Sequence, residues 1–266
     1  MLEIVFLGGG GGRWESITQV KGTGGFRIHS ENMNMHVDPG AGALVRMNQL
    51  EINPWKTDAI ITTHCHPDHY TDAENLVEAM TKGMTKKQGI LIGNNSVLNG
   101  NSRFERGISN YHQSRVGERH VLGPYDEINV NNWKLTATKT KHNDPETIGF
   151  KMETDDGIIG YTSDSEYMDS LIEDFDGVDF LIANIIRVKG QKVPGHMCSN
   201  DIINVINSMN KKPKMLAMYH MGMKMTDPDS EARYISENID IPVIPAKIGL
   251  KITMENKECK FDYITY

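Results

Sequence analysis

The chain has 266 residues, 38% of them apolar and 24% charged, which suits a folded globular protein with a large core. No apolar run approaches the roughly 20 residues of a membrane span, and the opening MLEIVFLGGGGG lacks a basic n-region and a cleavage site, so neither a membrane partner nor a signal peptide is expected. A formal charge of −7 argues against a surface that coats nucleic acid, and three scattered cysteines (Cys65, Cys198, Cys259) point to a reducing cytoplasm rather than a disulfide framework.

Short apolar runs recur along the chain, each bounded by Gly, Asp or Asn. EIVFLG predicts a buried strand. GGFRIHS and NMHVDPG predict a hairpin turning near Glu31–Asn34. TDAIITT predicts the next strand, and Thr71 with Glu74 predicts a capping box for a helix reaching about Met80. GILIGN is a further strand. Residues 95–118 are polar, with weak helical patterning. DEINVNNWKLTATKTKH predicts two strands around Asn131–Asn132, and TIGFKMETDDGIIGYTSDS a hairpin through Asp155–Gly157. Then follow a helix near 168–175, the strand VDFLIANI, a helix over 199–209, the strand KMLAMYH, a helix near 228–237 and a last strand VIPAKI. No repeat, low-complexity tract or linker interrupts this series, so one domain over 1–266 is expected. Strands in runs, then strands alternating with helices, suit an α/β fold of two sheets covered by outer helices.

Charge is uneven. Residues 82–119 hold seven basic and two acidic side chains, +5 net, which leaves −12 for the rest. A solvated loop and a local anion site both fit that segment, as does a lid or an interface.

The densest chemistry is ITTHCHPDHYTDAENLVEAM, residues 61–80. Side chains two apart in an extended segment share a face, so His64 and His66 can reach one ion while Cys65 points away. Pro67 ends the strand. Asp68 and His69 follow in the turn and can face a second point. Imidazole nitrogen and carboxylate oxygen are the donors that zinc and similar ions prefer. Three other apolar runs end on such residues: LTATKTKH at His142, IIGYTSD at Asp164 and MLAMYH at His220. Carboxyl ends of strands are where loop-borne sites are built. One tetrahedral site needs three or four donors. Seven suit two ions, about 3.5–4 Å apart, sharing a carboxylate.

The run TTHCHPDH resembles the His-x-His-x-Asp-His motif of the metallo-β-lactamase superfamily, and FLGGGG and HVDPG resemble its first two strand ends. The resemblance implies a four-layer αββα sandwich with the site along one edge. It implies that His64, His66 and His142 hold one ion, that Asp68, His69 and His220 hold the other, and that Asp164 bridges. The expected cofactor is a pair of divalent ions, zinc first and manganese second. His rather than Glu at position 66 disfavours the flavodiiron oxidases, and the short tail after His220 disfavours glyoxalase II-type hydrolases. PGHMCSNDIINVINSMNKKPKMLAMYH resembles the tail of ribonuclease Z and related phosphodiesterases, where an extra histidine at a helix start assists the leaving group; His196 matches it. Asp68 and His196 are thus the expected catalytic residues. Ribonuclease Z-type enzymes carry a long tRNA-gripping arm, commonly between the equivalents of His142 and Asp164. Only 21 residues separate the two here, so tRNA is not the expected partner. A small anionic or phosphoester substrate is. The compact ascorbate-phosphate lactonase-like branch stays open.

The weaker features are assigned more lightly. Gly8 to Gly12 is read as a turn beside the site, with Arg13 a candidate anion contact. The methionines around His220 are read as packing, and Asp38 as a support for a ligand histidine. The expected activity is phosphodiester hydrolysis. The alternatives are lactone or thioester hydrolysis and a non-hydrolytic metal-binding role. Oligomeric state stays open, a homo-oligomer included.

Overall fold

A computed structural model describes residues 1–264. The strand Leu2–Gly8 shows how the layers arise. Leu2, Ile4 and Phe6 point one way and Val5 and Leu7 the other, and every one of them is buried. A strand apolar on both faces must be covered on both. Phe180–Arg187 repeats the pattern: Phe180 and Ile182 share the core of Leu2, Ile4 and Phe6, while Leu181, Ala183 and Ile185 pack outward.

These strands belong to two mixed sheets. The first runs Glu258–Tyr263, Leu250–Glu255, Leu2–Gly8, Thr23–Ser30, Met33–Val37, Ala59–Thr62, Ile90–Gly93, Glu118–Val121. The second runs Val243–Pro245, Met215–Tyr219, Phe180–Arg187, Gly157–Tyr161, Ile148–Thr154, Trp133–Lys139, Glu127–Val130. One core lies between the sheets. Helices Ala43–Gln49 and Ala73–Met80 cover the first sheet, and Ser170–Phe175, Ser199–Ser208 and Pro228–Ile239 cover the second. Two sheets flanked by helices make the expected αββα sandwich.

Direction matters for function. Trp133–Lys139 and Gly157–Tyr161 both run antiparallel to Ile148–Thr154, hence the same way as each other. Phe180–Arg187 and Met215–Tyr219 are parallel to Gly157–Tyr161 and to one another. In the first sheet Met33–Val37 and Ala59–Thr62 are parallel. The loops that leave these strands therefore come together along one edge.

Both interior hairpins and their turns form as expected. The capping box at Thr71 and Glu74 does not. Pro67 starts a one-turn helix of its own, Pro67–Tyr70, and Asp72 then precedes Ala73–Met80. Glu74 instead accepts from Ser109 N at 2.7 Å. A capping box forms at Cys198 and Asp201. VIPAKI supplies only the short strand Val243–Pro245, and the chain ends in the unexpected hairpin Leu250–Glu255 and Glu258–Tyr263. Its outer strand is mostly exposed, so no apolar alternation announces it. The charged strand Glu118–Val121 was hidden for the same reason. Among the described residues no helix is long and apolar enough to cross a membrane.

Asp174 lies in the last turn of Ser170–Phe175, where the helix dipole disfavours an anion, and its Oδ2 has no hydrogen-bond partner among the described residues. Burial raises its pKa to about 6, with Lys151 opposing. A carboxyl whose pKa rises on folding costs nothing below its unfolded value and destabilises as pH climbs through the folded one. Asp174→Asn should therefore stabilise the fold at pH 8 by about 1 kcal/mol once solvent screening is allowed for, seen as a higher melting temperature. The gain should vanish near pH 4. A pH-independent difference would contradict this account.

Candidate metal centre

The site begins with Asp38, just past the strand Met33–Val37. The fully buried carboxylate accepts four hydrogen bonds: from Thr63 N at 2.7 Å, Thr63 Oγ1 at 2.6 Å, His69 Nδ1 at 2.9 Å and the Tyr161 hydroxyl at 2.8 Å. Since a carboxylate accepts, His69 Nδ1 must donate, and its Nε2 is turned outward with a lone pair in the neutral ring. His142 is fixed likewise: Nδ1 donates to Gly195 O at 2.8 Å. Among the described residues His220 has no such partner on Nδ1. Its ring is held by contact instead, because a Cβ on Gly11 would overlap it.

The seven expected ligands do come together. His64, His66, His142 and Asp164 form one donor group, and Asp68, His69 and His220 a second, each with its donor atoms within 4.8 Å of one another. His64 Nε2 and His142 Nε2 each lie 3.0 Å from His66 Nδ1. In the second group, His220 Nε2 lies 3.0 Å from Asp68 Oδ2 and 3.2 Å from His69 Nε2. Asp164 stands between the groups. Its Oδ2 lies 3.5–3.6 Å from nitrogens of His64, His69, His142 and His196, and its Oδ1 lies 3.3 Å from His220 Nε2.

These spacings test the fit of a metal. Three ring nitrogens converging at about 3 Å cannot all be satisfied by one another's protons. Donors bound at about 2.0–2.2 Å to a tetrahedral centre sit about 3.3–3.6 Å apart, close to the Asp164 distances. The donor set is nitrogen and carboxylate oxygen, as zinc and manganese accept. The residues fit.

Electrostatics agree. Burial pushes His66 down to about 4, with His142 adding repulsion, and pushes His64 well below the histidine range. Burial also opposes charge on Asp164, yet His220, His196 and His69 outweigh it and hold the carboxyl well down. Asp68 is held down against burial chiefly by His69 and His220. His69 is the exception: burial is outweighed by Asp68, Asp164 and Asp38, and its pKa rises.

His196 lies one short strand, Met197–Cys198, ahead of the helix Ser199–Ser208, not at its start as expected. It is no surface histidine. Its ring stacks on His220 at 5.5 Å and 20°, its Nδ1 is 3.6 Å from Asp164, and with Asp164 and His220 it forms a third metal-capable group.

Several supports escaped the sequence reading. Asn184 donates to Asp164 Oδ1 at 2.8 Å. Gly12 N donates to Asp68 Oδ2 at 2.6 Å. The glycine run is pinned by Gly9 N to Lys21 O, Gly10 N to Gly22 O and Gly11 N to Met221 O. Five glycines in a row after a strand were the available signal, and close approach is the use they serve. Met215, Met218, Met221 and Met225 are buried packing, as expected, whereas Met223 stands exposed and does not pack.

Residues 33–221 match the family described as the Beta-lactamase superfamily domain. The chain belongs to the beta-lactamase superfamily. An uncharacterized protein of Methanocaldococcus jannaschii is 56% identical over 263 residues, 99% of both chains. The ribonuclease Z of Thermococcus kodakarensis is 26% identical over 161 residues, which are 60% of this chain and 46% of that protein. Among solved structures, the metallo-beta-lactamase fold protein YhfI from Bacillus subtilis superposes with a TM-score of 0.78 at 20% identity, over 94% of this chain and 98% of that one. That likeness speaks to the superfamily's fold, and the matched residues run from Met33, ahead of Asp38, to just past His220.

Gly11→Ala tests whether the glycine run shapes this superfamily site. The new methyl must push the His220 ring aside. Zinc affinity, measured by equilibrium dialysis, should fall about 10-fold or more, as for a lost support of a ligand, while circular dichroism stays native. Unchanged affinity would show that Gly11 does not set the His220 position.

Proposed function

We propose that this protein is a metal-dependent hydrolase that holds two divalent ions and cleaves a phosphodiester. One observation carries the proposal: Asp164 Oδ2 stands 3.5–3.6 Å from four imidazole nitrogens, between two donor groups. We assign His64, His66 and His142 to one ion, Asp68, His69 and His220 to the other, and Asp164 to both. When bound, zinc or manganese supplies Lewis acidity and a nucleophile at neutral pH. The chain's own residues do the rest. Asp38, Gly195 and Gly11 hold the rings that would ligate. Against burial, His69 and His220 hold Asp68 ionised, and Gly12 N–H donates to its Oδ2.

Kinship with the Thermococcus ribonuclease Z over 161 residues supports the phosphodiester class. We do not extend the proposal to tRNA. The hairpin Ile148–Thr154 and Gly157–Tyr161 takes up the interval between His142 and Asp164, and net charge is −7. A small anionic phosphoester suits the site better, and a reducing cytoplasm suits the free Cys65, Cys198 and Cys259. Metal-loaded protein should hydrolyse bis(p-nitrophenyl) phosphate in preference to lactone or thioester substrates. The reverse preference would replace the phosphodiester reading.

Elemental analysis should approach two ions per chain. Asp164→Ala should weaken both sites, and His142→Ala mainly one. Fewer than one ion after reconstitution with zinc or manganese rules out the paired site.

His196 is assigned to the leaving group. Burial pushes its pKa down to about 4, so at neutral pH it is uncharged and offers one N–H. That suits a hydrogen bond to the departing oxygen more than a stored proton. General acid assistance is worth about 10²–10⁴-fold, and a neutral imidazole belongs at the low end. His196→Ala should slow alkyl phosphodiesters about 10²-fold, and p-nitrophenyl esters much less, with metal content unchanged. Equal slowing of both would make it a substrate-positioning residue. Loss of an ion would make it a ligand.

A further inference from the structure

Within the basic segment 82–119, one cation is bonded to the loop that carries His142. Lys82 is bonded to Trp55 O, Arg106 to Asn110, and Arg119 to Gln113, Leu98 O and Asn99. Lys86, Lys87 and Arg115 stand exposed. Arg103 is exposed too, but it is bonded beside the site. Its Nη1 donates to Asn143 O at 2.9 Å, the carbonyl next to His142. Its guanidinium lies 5.8 Å from the Phe104 ring, and Phe104 packs against the His66 ring at 5.9 Å and 68°. A guanidinium has five N–H donors. Among the described residues, one of them has a protein acceptor and none has a carboxylate partner.

The loop that carries Arg103 is tied to the ligand turn. Asn101 Oδ1 accepts from Arg103 N at 2.8 Å and Phe104 N at 2.9 Å, and Asn101 Nδ2 donates to Ser96 Oγ at 2.9 Å. Ser96 Oγ donates to Asp144 Oδ1 at 2.6 Å. Asp144 Oδ2 accepts at 3.0 Å from Cys65 N, the amide between His64 and His66. A continuous hydrogen-bonded path thus runs from the ligand turn to Arg103. A cation placed this way needs little further ordering when it meets an anion.

We infer that Arg103 is the substrate-recognition cation of this site: it pairs with the negative charge of a monoanionic diester whose apolar or planar ester group rests on Phe104. The substrate class deepens the phosphodiester proposal above and rests on it. One free guanidinium matches one negative charge. A polyanion would call for several contacts of this kind.

The test uses metal-loaded full-length protein. Arg103→Ala should raise KM for bis(p-nitrophenyl) phosphate about 10-fold, as expected for a lost charge-assisted hydrogen bond, with kcat changed less than about threefold. Arg103→Lys should restore part of the loss. Calorimetric binding of unreactive diethyl phosphate should weaken by the same factor, and zinc content and melting temperature should hold. Arg115→Ala makes the same charge change in the same segment and should leave KM in place. If both alanine variants raise KM equally, a general field replaces the contact and the inference falls. If Arg103→Ala alters neither KM nor diethyl phosphate binding, the inference falls while the phosphodiester reading stands. If the wild-type protein cleaves no phosphodiester but needs Arg103 for an anionic lactone, the anion-binding role stands and the phosphodiester reading falls.

Discussion

The arrangement depends on one buried carboxylate. Asp38 joins the two sheets at the edge where the loops gather: Thr63 and His69 follow a strand of the first sheet, and Tyr161 ends a strand of the second. A buried carboxylate without partners would be costly, whereas one accepting four hydrogen bonds is a rigid fixture. It also sets which nitrogen of His69 faces inward. Sheet packing and ring orientation are thereby settled by the same four bonds. The raised pKa of Tyr161, caused by burial and then by Asp38, keeps that hydroxyl a donor.

His64, His66, Asp68 and Asp164 are each held in one protonation state by opposing effects. Burial, joined by repulsion from neighbouring imidazoles, keeps His64 and His66 neutral, which exposes their lone pairs. Burial alone would also protonate Asp68 and Asp164, and there the surrounding imidazoles win. Crowding histidines around carboxylates thus serves both residue types at once. Dispersing the same seven side chains over a surface would give neither result.

How much was legible follows from where each signal lies. His64, His66, Asp68 and His69 share one short segment, and His142, Asp164 and His220 each sit one to three residues beyond a strand, so spacing and strand ends reveal them. Asp38 was legible because it ends a strand. Asn184 was not, since it lies within the apolar run FLIANIIR and acts on a residue 20 positions away. Gly12 bonds Asp68 across 56 positions and Asp144 bonds Cys65 across 79, and no local pattern encodes such pairs. The fold shows the same division. Strands buried on two faces announce themselves, while the exposed strands Glu118–Val121 and Glu258–Tyr263 carry no period to read.

Gly11 and Gly195 carry a consequence for anyone who would copy the site. A glycine is usually valued for what its backbone can do, yet here each is valued for what is missing. His220 fills the space where a Cβ on Gly11 would be, and a Cβ on Gly195, at φ +81°, would crowd His142 Nδ1 at 3.0 Å, the nitrogen that donates to the Gly195 carbonyl. Neither residue would appear in an inventory of donors. Grafting the seven polar side chains onto another sandwich would therefore transplant the donor groups without their aim. The portable unit is larger than its chemistry suggests: it includes two glycines, an asparagine and a carboxylate that hold the donors by direct contact.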